Sequence, residues 1–409
     1  MTATLLTKGT KTRSAKQIAE QIEFLGGSIN AGAGWNNSEV SITVSSDKLD
    51  QAMAILADVV LNPTFKEEEI ELLKGQMLDE LAYNLQQPGF LSAFVASKYS
   101  FGEHPVGGTI QSIESITQQD ITEFHNEQYL SESATLILTG DINNLKANTI
   151  IQKYFKNWRS RPRSLATTKI TRDTNTILAA NVSSNRSQIN SAYKILVIDM
   201  PNSGQASVSY NREVRAVGRN NFVFYWSSVL NSILGGGYSS RLNQEIRIKR
   251  GLSYGAGSSF AWRSQEANFA ARTQTKNESA AEVAELIVAE IKKLTQIDVS
   301  ETEMNPRKLV LIGDFGRELE TTAGLADSLA ELFTFKIPTS ELNSFMKNVQ
   351  SVKSSDIQGF AKNNLQGGDI IIVGDYAKFK DDLAKRFPKM TIDVIKADEI
   401  DLSKENLRK

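Results

Sequence analysis

The chain has 409 residues, more than one hydrophobic core usually serves, so its length favours two or three domains. With 40% hydrophobic and 23% charged residues, it has the composition of a globular protein and not of a disordered one. A net charge of -1, from 46 basic and 47 acidic residues, gives no sign of a nucleic-acid partner or of an anionic membrane surface as partner.

The residue inventory excludes several kinds of site. The chain has no cysteine, which removes thiol nucleophiles, disulfides and every cysteine-based metal site. A zinc site built on two histidines would need both His104 and His125, since the chain has no others. No apolar run approaches the roughly 18 to 20 residues of a membrane span, and the first residues lack the apolar region of a signal peptide. The sequence therefore predicts a soluble chain with no membrane span.

The first half of the chain alternates between helical and strand patterns. Ser14 and Gln17 have the spacing of a capping box, and an apolar face then continues to a stop at Gly26. Period-two alternation at 38–44 predicts a half-buried strand, and the apolar run at 134–140 predicts a buried one. Helices are predicted at 14–25, 47–61, 66–86 and 118–129, with another ending near residue 158.

A break in this pattern divides the chain. Residues 159–164 combine a charge run with a proline, and periodicity is lost up to about residue 190. Beyond it, a strand at 193–199 and a helix from about 221 to 234 restore the earlier pattern. We therefore predict a first domain at 1–165, a linker at 166–190 and a second domain at 191–409.

The two halves share short motifs in the same order. LGGSINAG at 25–32 resembles RGLSYGAG at 250–257, and DITEF at 120–124 resembles DIQGF at 356–360. A Gly-Asp pair follows in each half, at 140–141 and at 374–375. Three matches at nearly equal separations predict two copies of one α+β domain. The first copy is shorter at its start by about 35 residues, which corresponds to a strand pair and part of a helix.

Four motifs together resemble one peptidase family. They are LTKGTKTRS at 6–14, LGGSIN at 25–30, LGGGYSSRL at 234–242 and KRGLSYG at 249–255. The combination looks like the insulinase/pitrilysin family of inverted-zincin peptidases, over nearly the whole chain. The resemblance implies an α+β fold of two homologous domains, each a mixed β-sheet with helices packed mainly on one face.

The zinc motif of that family is not present. Family peptidases bind zinc through H-x-x-E-H and a later glutamate. Aligned on TKGT at 7–10, the catalytic glutamate falls on Ala3 and the second zinc histidine on Thr4, while the first histidine would precede residue 1. Glu80 stands where the later glutamate would be. We expect it to be a solvated or salt-bridged helix residue, His104 and His125 to be structural, and this chain to hold no metal.

The second half contains a pair that the family uses in catalysis. Arg247 and Tyr254 resemble the arginine and tyrosine that family members bring from the second half, or from a partner subunit, toward the zinc centre. Both side chains are donors that can stabilise an oxyanion. The alternative is structural, with a surface arginine at a helix end and a strand tyrosine packed on the sheet.

The glycine turn formed by Gly235, Gly236 and Gly237 also has two interpretations. In position it resembles the glycine-rich loop with which noncatalytic subunits of mitochondrial processing peptidases contact substrate. A helix C-cap followed by a tight turn explains the same residues equally well. Trp35, Phe260 and Trp262 lie in or beside predicted strands, where packing is the default.

The resemblance implies a noncatalytic, substrate-binding subunit of a heterodimeric zinc metallopeptidase. Such a chain would be inactive alone and would bind peptide partly by strand addition, while a homologous H-x-x-E-H subunit holds the zinc. The alternative function is a structural scaffold that uses the peptidase fold as an assembly surface. The family's bacterial two-chain members suggest the periplasm or cell envelope as location.

Overall fold

The structure is a computed structural model that describes residues 1–160, 194–215 and 217–409. The predicted linker at 166–190 lies outside the described residues, so the boundaries between the two domains stay a prediction. Among the described residues, no helix combines the length and apolar character that crossing a membrane requires.

Residues 1–160 consist of helices around one hairpin. Strands β1 (Ser28–Ala33) and β2 (Ser38–Thr43) pair antiparallel, with Ile29 opposite Ile42 on the face that packs against the helices. The helices of this half are α1 (Thr2–Leu5), α2 (Ala15–Phe24), α3 (Leu49–Leu61), α4 (Glu67–Leu85), α5 (Pro88–Tyr99), α6 (Ile110–Ser115), α7 (Gln118–Gln128) and α8 (Asn144–Ile150), which a π-helix (Ile151–Phe155) continues.

Helix α2 shows how closely the local signals are followed. The Ser14 side chain accepts a hydrogen bond from the Gln17 amide, and the Gln17 side chain accepts one from the Ser14 amide, so the predicted capping box is confirmed. Ile18 and Ile22 face the core. The predictions for α3, α4, α7 and β2 are confirmed as well, with ends that differ by at most two residues.

The predicted strand at 134–140 is wrong. These residues form no strand, and 134–136 are exposed. In the second half, the segment before the equivalent Gly-Asp pair is β7 (Asp369–Gly374), which pairs with β3 (Lys194–Asp199) and β4 (Ala206–Val214). Both partners precede the RGLSYGAG motif at 250–257, whereas residues 1–24, which precede the matching LGGSINAG motif, form no strand. An apolar run becomes a strand only where another strand can satisfy its backbone.

The second half is built on a six-stranded mixed sheet. Its order is β5-β6-β4-β7-β3-β8, where β5 (Ala256–Trp262), β6 (Ala267–Thr275) and β8 (Ile392–Lys396) complete the set. Strand β3 runs parallel to both β7 and β8, and the remaining pairs are antiparallel. The α+β class predicted from sequence is thereby confirmed.

One face of this sheet carries the largest hydrophobic core. Ile195 and Val197 of β3, with Ile370 and Ile372 of β7, point into it. The covering helices include α9 (Val223–Leu234), α10 (Ala280–Gln296) and α14 (Ser354–Asn364). Outside them lie α11 (Glu301–Leu319), α12 (Thr322–Thr334) and α13 (Glu341–Ser351), while α15 (Lys380–Arg386) packs on α10.

The opposite face is covered by α5 of the first half, together with Leu402 and Leu407 near the end of the chain. Leu91, Val95 and Ala96 of α5 pack on Leu196 and Ile198 of β3 and on neighbouring side chains of β7. The hydroxyls of Ser92 and Ser209 hydrogen bond at 2.9 Å within this layer. Because both faces of β3 and β7 are apolar, the sheet needs a layer on each side.

A polar cluster joins the same two parts at the end of α5. Arg263 and Asn268 donate hydrogen bonds to Glu103 Oε2 at 3.2 and 3.0 Å. The ring of Trp35 lies against the Arg263 guanidinium at 4.2 Å, which adds a cation–π contact. The loop after α5 is thus tied to the hairpin between β5 and β6.

A single carboxylate fixes the segment before α2. Asp58 of α3 is 7% exposed and accepts hydrogen bonds from the hydroxyls of Thr10 and Thr12, from the Arg13 guanidinium and from the Asn62 amide. Burial alone would raise the pKa of Asp58, but these four donors outweigh it and hold the pKa below its usual value. The TKGT motif is therefore anchored to the core of the first half.

We predict that Asp58→Asn lowers the free energy of unfolding at pH 7 by about 1–3 kcal/mol, because buried donors lose a charged acceptor. A group with a depressed pKa stabilises the fold above its unfolded pKa, and this contribution disappears as pH falls through the folded pKa. The difference between the two proteins should therefore shrink below about pH 4. Urea denaturation across pH measures both effects.

The control is Asp50→Asn, which breaks an exposed pair with Lys153. Exposed pairs contribute about 0–1 kcal/mol, so this variant should stay close to the parent. Equal losses in the two variants would contradict the anchoring role of Asp58.

Candidate functional site

The positions that align with the zinc motif lie on a buried helix. Ala3 of α1 is 3% exposed, and Leu5 and Leu6 pack into a small core with residues of α4 and α7. Thr4 is half-buried, and its carbonyl accepts a hydrogen bond from the Thr7 hydroxyl. A methyl group and a hydroxyl can neither activate a water nor replace an imidazole as zinc ligand.

Glu80 has the surroundings expected of a surface residue. It is exposed on α4. Within 1–160, 194–215 and 217–409, no three or more His, Asp or Glu side chains are grouped so that they could hold a metal ion. The residues present at the aligned positions therefore do not fit the family's zinc site.

Both histidines make structural contacts. His125 is buried in α7, where its Nε2 lies 2.9 Å from the Val60 carbonyl and its ring stacks on Tyr129 at 4.8 Å. Burial lowers the pKa of His125. His104 lies in a loop with its ring 5.2 Å from that of Trp35. His125 thus lies in a helix and His104 in a loop, and each ring contacts an aromatic neighbour.

Arg247 and Tyr254 flank a well-anchored loop. Arg247 lies in a π-helix (Asn243–Ile248) and is exposed, with its guanidinium 5.1 Å from the centre of the Tyr238 ring. Tyr254 lies two residues before β5, and its side chain is 91% exposed. The tyrosine is therefore not packed on the sheet, which rules out that part of the structural alternative.

The backbone of this loop is fixed although its tyrosine is free. The Thr275 hydroxyl donates to the Leu252 carbonyl, and the Thr273 hydroxyl donates to the Gly255 carbonyl, both at 2.6 Å. Gly251 adopts φ +65°, a conformation that favours glycine, and its amide caps the preceding π-helix through the Arg247 carbonyl. The loop backbone is thus held in place while the Tyr254 phenol lies in solvent.

The three glycines of the turn after α9 differ in their surroundings. The amides of Gly235 and Gly236 both donate to the Asn231 carbonyl. These hydrogen bonds cap the C-terminal end of α9. A Cβ on Gly235 would lie 2.2 Å from the Ser258 amide, and one on Gly236 would lie 2.7 Å from the Ser232 Cα. These two glycines are required by packing. Gly237 is exposed, and a Cβ at this position would meet no atom closer than 3.6 Å.

A side chain that sequence patterns do not single out lies beside Gly237. A Cβ on Gly237 would be 3.6 Å from Nη1 of Arg307, a residue of α11 that is only 8% exposed. Arg307 is 70 positions further along the chain, and no local motif marks it. Only the packing of α11 on α9 brings the two together.

Two family models match the chain, and between them they cover most of it. Residues 2–100 match the insulinase family (Peptidase family M16), and residues 115–309 match the Peptidase M16 inactive domain. An uncharacterized zinc protease of Rickettsia felis is 28% identical over 359 residues, which is 86% of this chain and 80% of that protein. An uncharacterized zinc protease of Mycobacterium leprae is 30% identical over 255 residues, which is 61% of this chain and 53% of that protein.

Solved structures share the fold. A peptidase M16 inactive domain from Pseudomonas fluorescens superposes with a TM-score of 0.77 at 24% identity, over 91% of this chain and 87% of that one. A protease from Helicobacter pylori gives a TM-score of 0.80 at 19% identity, over 90% and 87%. The chain has a two-domain M16-like fold in which Ala3 and Thr4 stand where the family has its catalytic glutamate and second zinc histidine. It belongs to the insulinase (M16) peptidase family.

We predict that Gly235→Ala destabilises the protein by about 1–3 kcal/mol, because its methyl group would overlap the backbone of β5. The matched control, Gly237→Ala, should change the free energy of unfolding by no more than about 0.5 kcal/mol, since its Cβ makes only an ordinary contact. Thermal or urea denaturation of the two variants measures the difference. Equal destabilisation by both would contradict the separation of a packed cap from an open position.

Proposed function

We propose that this chain is a noncatalytic, substrate-binding subunit of a two-chain zinc peptidase. It pairs with a homologous chain that carries H-x-x-E-H, and it contributes Arg247 and Tyr254 to peptide hydrolysis in the shared site. The observation that carries the proposal is a phenol held 91% exposed on a fixed loop, in a chain whose own zinc positions are Ala3 and Thr4.

The exposure of Tyr254 supports a contact with something outside this chain. A tyrosine usually buries its ring and gives its hydroxyl a partner, and both contribute to stability. Here the loop backbone is anchored by Thr273 and Thr275, while the ring lies in solvent. A side chain ordered at its base and free at its tip is pre-organised to donate to a second surface.

Arg247 gives the same surface a cation. Its guanidinium is exposed and, among residues 1–160, 194–215 and 217–409, contacts the Tyr238 ring without a hydrogen bond, so its five donors are available for a substrate carbonyl. Donors aimed at the oxygen that gains charge in the tetrahedral transition state are the usual electrostatic contribution of a peptidase. Neither residue supplies a nucleophile or a metal ligand, which fits a complementing role.

Zinc and its activated water belong to the partner in this proposal. When bound there, the metal supplies a water of lowered pKa and polarises the scissile carbonyl. This chain's residues bind and orient the peptide and donate to the carbonyl oxygen.

Main-chain pairing offers a way to hold the peptide. In the described structure, β1 and β2 form a two-stranded sheet, so each has one edge without a strand partner. A cleft of about 300 Å³ lies over the polar face of this hairpin, lined by small and polar side chains from Asn30 to Ser41. Strand addition at such an edge gives affinity with little sequence demand.

We predict that Tyr254→Phe and Arg247→Ala each lower kcat/KM of the reconstituted pair by about a hundredfold, the usual effect of losing one oxyanion donor. Peptide hydrolysis by the pair measures this loss. Tyr83→Phe is the matched control, because Tyr83 is also exposed, at 65%, but lies on α4. Full activity in both site variants would favour the alternative in which the fold serves as a scaffold.

A further inference from the structure

Arg307 is buried without a partner for its charge. Its side chain belongs to α11 and is 8% exposed, yet within the described residues its guanidinium makes no hydrogen bond or ion pair. Lys308, the next residue and equally buried, donates to the carbonyls of Gln350 and Val352. The contrast is informative, because a buried cation is normally paired or hydrogen bonded.

The nearest carboxylate is already engaged. Glu303 lies one helical turn before Arg307, but its two oxygens accept the forked hydrogen bonds of Arg241 at 2.7 and 2.8 Å. Burial lowers the pKa of Arg307, with Glu303 opposing that effect. A guanidinium stays charged in proteins, so the site retains one uncompensated positive charge.

The guanidinium can be reached from the surface. No guanidinium nitrogen of Arg307 is both fully buried and without a hydrogen-bond partner. Since these nitrogens make no hydrogen bond within the described residues, they are in contact with solvent. This contact lies beside Gly237, which is exposed and has no side chain to cover it. The packed glycines Gly235 and Gly236 fix the backbone of the turn, so this opening has a defined shape.

The surroundings favour an oxyanion. The next residue, Tyr238, carries the guanidinium of Arg247 over its ring, which adds positive potential on that side of the turn. A planar guanidinium matches a carboxylate through two parallel hydrogen bonds. A peptide offers such a group at its C-terminus or on an acidic side chain.

We propose that Arg307 and the open turn at Gly237 form a binding site for a carboxylate of the substrate peptide. This inference rests on the proposed peptide-binding function and specifies the class of peptide. The site selects peptides with a carboxylate at the position that reaches the turn, and Arg307 contributes binding and not chemistry.

Four peptides that differ only in their C-terminal group and in one internal residue test this site on the full chain. They combine a free or amidated C-terminus with a glutamate or a glutamine at one internal position, and their affinity is measured by fluorescence anisotropy. Neutralising the recognised carboxylate should weaken binding about ten- to a hundredfold, as expected for a charge-assisted pair. Loss on amidation assigns the C-terminus, and loss with glutamine assigns the side chain.

Two variants connect that preference to Arg307. Arg307→Met should abolish the preference and leave the melting temperature unchanged or higher, because it removes a charge that has no partner in the fold. Gly237→Val should reduce the same preference by covering the guanidinium. Arg317→Met is the matched control, since it removes an exposed charge from the same helix and should bind all four peptides as the parent does.

Several results would overturn the site. Equal affinity for all four peptides, or a carboxylate preference that survives in Arg307→Met, would leave Arg307 as a hydrated surface cation. Either result would leave the proposed function standing, because Arg247 and Tyr254 are tested separately by hydrolysis. Absence of any peptide binding, alone or in the pair, would remove both proposals.

Discussion

The fold depends on burying two apolar faces of one sheet. Neighbouring residues of β3 point to opposite sides, with Ile195 and Val197 in one core and Leu196 and Ile198 in another, and β7 repeats the pattern. A strand that is apolar on both sides cannot leave either face in water. The first face is covered by helices of the second half, but the other is covered by α5 of the first half together with Leu402 and Leu407 near the end of the chain.

The packing of α5 on the sheet of the second half has structural consequences beyond the core. The placement of α5 brings Glu103 to Arg263 and Asn268, and so couples the first half to the hairpin that leads out of β5. Strand β5 in turn supports both proposed sites, since its first residues follow Tyr254 and its Ser258 packs against Gly235. The surface that carries both proposed sites is therefore held by contacts from both halves of the chain.

Local signals in the sequence predict most of the helices and miss what depends on distant partners. The capping box at Ser14 was sufficient for α2. Helix α5 has no predicted counterpart, because a proline after the predicted helix at 66–86 indicates a helix end. In the structure Pro88 instead occupies the first turn of a new helix, where its missing amide costs nothing. Residues 134–140 have the composition of β7, but no strand lies beside them in the described structure. Pairing, and not composition, decides that segment.

The difference between local sequence signals and distant packing also applies to the two proposed sites. Arg247, Tyr254 and the glycine turn could be found because they lie within one stretch of about 20 residues whose motifs resemble a family. The structure adds that Tyr254 is free while Gly235 and Gly236 are packed. Arg307 could not be found from sequence, because an arginine in an amphipathic helix is usually a solvated one. Its burial and lack of a partner follow from the packing of α11 on α9.

The most direct test is peptide hydrolysis by this chain, by its nearest H-x-x-E-H homologue from the same genome, and by mixtures of the two, with zinc measured in each. The account predicts no activity and no stoichiometric zinc for this chain alone, and activity that rises on mixing and saturates at one chain per homologue. A homologue that is fully active alone and unaffected by this chain, or about one zinc in this chain by itself, would contradict it.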